Sequence, residues 1–187
     1  NYWLPKSLHS NMKHTDIIEQ ILKIGKDKEI IFVSVCGAAD TGKSTITKLI
    51  CDEFKKQNIN CDFICTDSFM IDRDDRIKQG ITGYNSKSLR EEDLLESTND
   101  IQEKKEVQYF PYDNKRGKNL PEYKTIKDVN ILIVEGIHSL NEIIRDKMDL
   151  KIFIDSDDKT LRKLRFKANI YKRGFLENEA EKRIDKE

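Results

Sequence analysis

The sequence predicts an α/β fold of three layers, a mostly parallel sheet held between helices. Three observations lead there. Four short runs, EIIFVSVC (29–36), CDFICT (61–66), VNILIVEG (129–136) and LKIFIDS (150–156), are apolar nearly throughout instead of alternating, as interior strands covered on both faces must be. The segments between them carry helical periodicity, so the crossovers include helices. The first run also passes through a glycine-containing turn, GAADTGKST (37–45), straight into a helical pattern.

In chain order, HTDIIEQILKI has apolar residues at helical spacing (Ile17, Ile18, Ile21, Leu22), with Thr15 or Asp16 expected to cap it. The run 29–36 is a central strand, and a helix follows from Lys43 with Ile46, Leu49, Ile50 and Phe54 on one side. The run 61–66 is a second strand. Residues 71–83 are polar and form an exposed loop or lid. SLREEDLLESTNDIQ is a helix, with Ser88 and Glu91 at the spacing of a capping box. Val107 to Phe110 and Pro121 to Thr125 form a strand edge and its partner, with turns at Pro111 and Gly117. The run 129–136 is the third apolar strand, Leu140 to Met148 a short helix, and 150–156 a fourth interior strand. DDKTLRKLRFKANIYKRG is a basic helix whose acids, Asp157 and Asp158, suit its positive end and whose Lys172 and Arg173 suit its negative end. The tail LENEAEKRIDKE is helical in character.

Ligands of open parallel sheets bind beyond the carboxyl ends of the strands. Gly37 to Ser44 satisfies G-x-x-x-x-G-K-[ST] at such a place, between strand and helix. Glycines let the backbone wrap a charged ligand, and successive N–H groups form an anion nest reinforced by the helix dipole. The whole stretch Gly37, Ala38, Ala39, Asp40, Thr41, Gly42, Lys43, Ser44 and Thr45 is therefore assigned to the phosphates of a nucleoside triphosphate. ATP is the expected nucleotide. Lys43 supplies a mobile charge to the phosphates and Ser44 a hydroxyl for Mg²⁺. Asp67 and Glu135 stand at the ends of the second and third apolar runs. If those strands flank the first, both carboxylates lie near the loop, where they can share a magnesium shell or accept a proton from an attacking hydroxyl.

Composition narrows the function classes. Lys plus Arg total 34 and Asp plus Glu total 34 over 187 residues, a zero net charge that argues against general nucleic-acid binding. The four cysteines form no CxxC pair and are expected as free thiols in a reducing compartment. No apolar run is long enough to span a bilayer, and NYWLPKSLHSN has no signal-peptide core. A cytoplasmic location is expected. Residues 1–11 are read as a vector-derived or fraying arm, with Met12 as a natural start.

Four stretches together, GAADTGKST, TDSFM, VQYFPYDNKRG and ILIVEGIHSL followed by DLKIFIDSD, resemble the uridine kinase and phosphoribulokinase group of P-loop kinases, with pantothenate kinase a relative. The resemblance runs from about residue 29 to 174. It implies a P-loop NTPase fold with a lid helix, and ATP- and Mg²⁺-dependent phosphorylation of a hydroxyl on a small molecule. It implies an N-terminal arm and helix (1–28) before a kinase domain (29–187) with an acceptor-binding insertion near 68–128 and a lid near 158–174. By position, Asp67 resembles the carboxylate that activates the acceptor, and Glu135 the second acid near magnesium. Tyr112 and Asp113 resemble residues beside the acceptor, and Arg165 and Arg173 resemble lid arginines. Members often self-associate, so a homo-oligomer is a further expectation.

The chain departs from uridine kinases around the acceptor. Asn114 and Gly117 stand where an aromatic and a histidine are usual, Met70 replaces a tyrosine, Ala168 an arginine and Asn169 an aspartate. YNSKSLREED does not match the segment that reaches ribose. The phosphate machinery is kept and the acceptor pocket is altered, which points to a nucleoside, a sugar, a polyol or a vitamin-like alcohol. The competing readings are an NTP hydrolase or switch, and a nucleotide-binding regulatory protein. Lys115, Arg116 and Lys118 form a basic cluster beside the pocket that is read as facing water, with binding of an anionic acceptor as the alternative.

Overall fold

The computed structural model describes residues 13–184, so the proposed N-terminal arm lies outside the described residues. The helices are α1 (His14–Ile24), α2 (Lys43–Lys56), α3 (Arg73–Lys78), α4 (Glu91–Gln102), α5 (Glu142–Arg145), α6 (Asp158–Tyr171) and α7 (Glu177–Ile184). The strands are β1 (Ile31–Gly37), β2 (Cys61–Cys65), β3 (Val107–Tyr109), β4 (Tyr112–Asp113), β5 (Lys118–Asn119), β6 (Lys124–Ile126), β7 (Ile131–Glu135) and β8 (Leu150–Ile154).

The central sheet has the order β2-β7-β1-β8 and is wholly parallel. Its two interior strands, β1 and β7, are buried along their full length, which is why their sequences do not alternate. Successive residues nevertheless enter different cores. Leu132 and Val134 face a cluster with Phe32, Leu94, Ile101 and Ile144, whereas Ile131 and Ile133 face one with Ile17, Ile21, Ile50 and Phe54. The three-layer α/β/α architecture follows from that division.

Several expectations are corrected in detail. The strand β2 does not flank β1; β7 lies between them. The run 150–156 is an edge strand of the described sheet, not an interior one, and Phe153 is 64% exposed. The buried stripe of α2 is Thr47, Ile50, Cys51 and Phe54, at the i, i+3, i+4, i+7 spacing of one helical face. Leu49 lies off that stripe and is exposed. Leu22 is likewise exposed at the margin of the Ile17–Ile21 stripe of α1. Neither Thr15 nor Asp16 is the N-cap of α1: Lys13 holds that position, and Asp16 reaches back to accept its N–H at 2.9 Å. Ser88 does not cap α4. It sits in a 3-10 turn before it, its hydroxyl donating to Asn85 O at 2.7 Å, and Arg90 is the N-cap.

Other local readings hold. Asp157 caps α6 by accepting from Thr160 N at 2.9 Å. β3 pairs antiparallel with β6, and a second small hairpin joins β4 to β5 through the turn at Gly117. The polar segment after β2 contains a helix, α3, that its composition concealed. All four cysteines are free, three of them buried.

Ile133 is fully buried on the central strand β7. Ile133→Ala is expected to destabilise the protein by about 2–5 kcal/mol, read as a lower urea midpoint with an unchanged slope.

Candidate active site

The site begins where β1 ends. At Gly37, φ is +145° and a Cβ would stand 2.3 Å from the carbonyl oxygen of Ile154, so only glycine lets β1 run into the loop beside β8. The chain turns through Ala38 to Thr41 and enters α2 with Gly42 as a left-handed N-cap that carries no side-chain cap. The amino end of α2 therefore keeps its positive pole open to the cleft. Lys43 is buried and folds back so that Nζ donates to Ala38 O at 2.8 Å; Thr41 Oγ1 donates to the same carbonyl at 2.8 Å.

Sheet register sets the acids. Glu135 is paired with Val35 of β1 on one side and with Cys65 of β2 on the other. Its carboxylate accepts from Ser44 Oγ at 2.9 Å and is 3% exposed. Burial pushes its pKa above the ordinary carboxylate value, against the hydrogen bonds from Ser44 and Cys65. Beyond it, Gly136 has φ +135°, and a Cβ there would lie 2.0 Å from Thr66 Oγ1; a side chain would force apart the ends of β2 and β7.

Asp67 follows β2 in a 3-10 turn. Arg90 anchors this turn, donating to Met70 O at 2.8 Å and Ser68 O at 3.0 Å, and Asn119 Nδ2 donates to Ser68 O at 2.7 Å. Burial raises the Asp67 carboxyl above its usual range; the charges of Lys43, His138 and Arg76 and a hydrogen bond from Asn114 oppose that shift.

A cleft of about 300 Å³ joins these parts. Of the residues assigned from sequence, Ala39, Asp40, Gly42, Lys43, Ser44, Thr45, Asp67, Tyr112, Glu135 and Arg173 line it. Gly37, Ala38 and Thr41 shape the loop behind the lining. Arg173, from the end of the lid, donates to Asp40 Oδ2 at 3.0 Å and to Asn169 Oδ1 at 2.8 Å. Two assigned residues are not brought into the lining. Asp113 accepts from the backbone N–H groups of Lys115 at 2.8 Å and Arg116 at 3.2 Å, which hold its pKa below the ordinary value and fix the hairpin turn. Arg165 donates to the hydroxyl of Tyr84 at 2.9 Å, and Tyr84, not Arg165, contributes to the wall. Lys115, Arg116 and Lys118 are exposed.

Sequence reasoning missed four contributors. Arg73 and Arg76 of α3 line the cleft; their i, i+3 spacing was a signal only once residues 73–78 are known to be helical. His138 is buried, and its Nε2–H donates to Gly83 O at 2.7 Å, tying the loop before α4 to the end of β7. Its signal was a histidine three residues after a strand-end acid. Asn114, in sequence only a replacement for an aromatic, lines the cleft together with Asp67.

Residues 32–183 match the Phosphoribulokinase / Uridine kinase family. The chain belongs to that family. It is 30% identical over 154 residues to a uridine kinase of Ureaplasma urealyticum, a match spanning 79% of this chain and 74% of that protein. It is 29% identical over 153 residues to uridine-cytidine kinase B of Dictyostelium discoideum, spanning 79% of this chain and 61% of that one. Among solved structures, the fold is shared with a candidate fructose transport system kinase from Silicibacter (TM-score 0.81, 15% identity, 93% of this chain and 89% of that one). It is shared also with D-glycerate 3-kinase from Cryptococcus neoformans (TM-score 0.67, 14% identity, 92% and 84%). The family's activity class is phosphoryl transfer of the P-loop kinase type to a small molecule. Among the described residues, no helix is long and apolar enough to cross a membrane.

The raised pKa of Asp67 has a stability consequence with a definite sign. A carboxyl whose folded pKa exceeds its unfolded value weakens the fold as pH rises through that interval, because the charged form is the one burial disfavours. Asp67→Asn is expected to raise Tm at about pH 7 and to have much less effect at about pH 4, where the unfolded carboxyl is also largely protonated. Thermal denaturation at the two pH values checks this.

Proposed function

We propose that this protein transfers the γ-phosphoryl group of ATP, bound with Mg²⁺, to a hydroxyl of a small nucleoside- or sugar-like molecule, with Asp67 as general base. The observation that carries the reading is the sharing of one cleft by the phosphate loop, Glu135 bonded to Ser44 at 2.9 Å, and Asp67.

The residues fit a magnesium-bound triphosphate. Gly37 lacks the Cβ that would close the loop, and Lys43 holds an ammonium group there on nothing stronger than a carbonyl. Ser44, Glu135 and Asp67 offer the hard oxygen donors that Mg²⁺ prefers. When bound, ATP with Mg²⁺ supplies the phosphoryl group and shields its charge.

The chain's own residues do the rest. Lys43 turns from Ala38 O to phosphate oxygens, exchanging a neutral acceptor for charged ones. Arg173, already held over the loop by Asp40, adds a fixed cation where negative charge spreads in the transition state. Asp67 takes the acceptor's proton; its raised pKa brings its basicity closer to neutral pH. Asn114 lines the cleft with Asp67 and offers it a polar neighbour in place of a stacking ring. Arg165, through Tyr84, sets the lid helix against the acceptor wall.

ADP release with a panel of alcohols tests the reading: it is expected to depend on the acceptor, and acceptor-independent turnover would favour a hydrolase instead. Lys43→Ala is expected to lower kcat/KM by roughly 10²–10³-fold with the fold retained. Asp67→Asn is expected to lower kcat by about 10²-fold or more while ATP affinity stays nearly constant, measured by steady-state kinetics beside calorimetry. A fully active Asp67→Asn would remove Asp67 as the base.

A further inference from the structure

Arg76 has no role in the chemistry above, and its surroundings are those of a binding group. It projects from α3 into the cleft and is 8% exposed. Its Nη2 donates to the hydroxyl of Tyr112 at 2.8 Å. Its Nε is buried with no hydrogen-bond partner in the protein, and no carboxylate among the described residues lies within 4 Å of it. A buried guanidinium whose side-chain hydrogen-bond partner is a neutral phenol, and which Asp67 meets only at a distance beyond an ion pair, has no anion in contact with it.

The scaffold is shaped to keep it there. A Cβ at Gly83 would stand 2.5 Å from Arg76 Nη1, so the loop leaves that space for the guanidinium. His138 pins the same loop through Gly83 O. One turn away on α3, Arg73 also lines the cleft, its guanidinium bonded to the carbonyls of Asn114 and Lys115. Neither arginine has a carboxylate partner, although α3 also carries Asp74 and Asp75. Both face the cleft with Tyr112 and Asn114, next to Asp67. The phosphate loop has its own cations in Lys43 and Arg173.

We propose that the acceptor is an anion, a hydroxylated carboxylate or phosphate ester, whose charged group is received by Arg76 with Arg73 at its rim and whose hydroxyl is thereby presented to Asp67. The inference rests on the phosphotransfer reading for the role of Asp67, but the anion site itself does not. A guanidinium presents paired donors to two oxygens of one anion. Carboxylate and phosphate both meet that geometry. A neutral nucleoside would leave the buried guanidinium of Arg76 without an anion in contact.

The test has kinetic and binding parts. ADP release is measured with three sets of acceptors: uridine and neutral sugars, sugar acids, and sugar phosphates. Turnover is expected with one anionic set, and which set it is identifies the anion. Arg76→Gln is expected to raise the KM of that acceptor by about 30-fold or more, with Arg76→Lys in between and the KM of ATP little changed. Preference for neutral acceptors, with Arg76→Gln leaving their KM unaltered, would overturn the anion site and leave the kinase reading intact. A rise in the KM of ATP alone would overturn it too, by giving Arg76 to the nucleotide. In the binding part, inorganic phosphate is added to protein saturated with Mg²⁺ and ADP. It is expected to raise the Tm of the wild type but not of Arg76→Gln. Equal shifts in both proteins overturn the inference whatever the kinetics show. An Arg76-dependent shift with no turnover of any acceptor upholds the anion site and defeats the phosphotransfer reading.

Discussion

The chemistry of the cleft depends on one piece of backbone pairing, the parallel register of β7 with β1 and β2 together. That ladder sets Glu135 beside Val35 and Cys65, so the carboxylate emerges where β1 turns into the phosphate loop. A slip of one residue would reverse every side chain on β7 and send Glu135 to the other face. The slip is opposed by two cores at once, because Ile131 and Ile133 fill one and Leu132 and Val134 the other. Hydrophobic burial on both faces thus fixes an acid to within hydrogen-bonding distance of Ser44.

Glycine at the strand ends completes this constraint. Gly37 and Gly136 stand at the ends of neighbouring parallel strands, both at positive φ and both against atoms that would collide with a Cβ. They let the chain leave the sheet in tight curls, so that the loop and the acids share a small space. The buried charges in that space are balanced unequally. Asp40, with its side chain 8% exposed, is compensated by Arg173 of the lid, so the pair ties lid to loop as well as neutralising charge. Asp67 and Glu135 are held in a desolvated state that raises their pKa values, the condition expected of groups waiting for a cation or a proton.

The wall opposite the loop is built differently. It comes from the segment between β2 and β7, where short antiparallel pairs and a six-residue helix replace long elements. Such pieces have little core of their own and are fixed by polar ties: Arg90 to Ser68 and Met70, Asn119 to Ser68, His138 to Gly83, Arg76 to Tyr112. A wall held in this way can change its lining without disturbing the sheet. Asn114 and Met70 line the cleft from this segment, at positions where the sequence resemblance leads one to expect aromatics.

The sequence by itself determined the three layers, the parallel sheet, the phosphate loop and the two strand-end acids. These are written in local signals: unbroken apolar runs, helical periodicity, and glycines next to Lys43 and Ser44. It also placed Asp157 and Asp158 at the amino end of α6, where Asp157 is the cap and its bond to Thr160 spans only three residues. What the sequence could not determine depends on residues far apart in the chain. The strand order placed β7, not β2, beside β1, because neighbours in a sheet are chosen by the packing of crossovers. Asp113 became a turn-former, accepting from Lys115 and Arg116, while Asn114 reached the cleft lining, because the closed hairpin sets what each of two adjacent polar residues meets. Arg76, one charge among 34 basic residues, was distinguished only by burial, and burial is a property of the assembled fold.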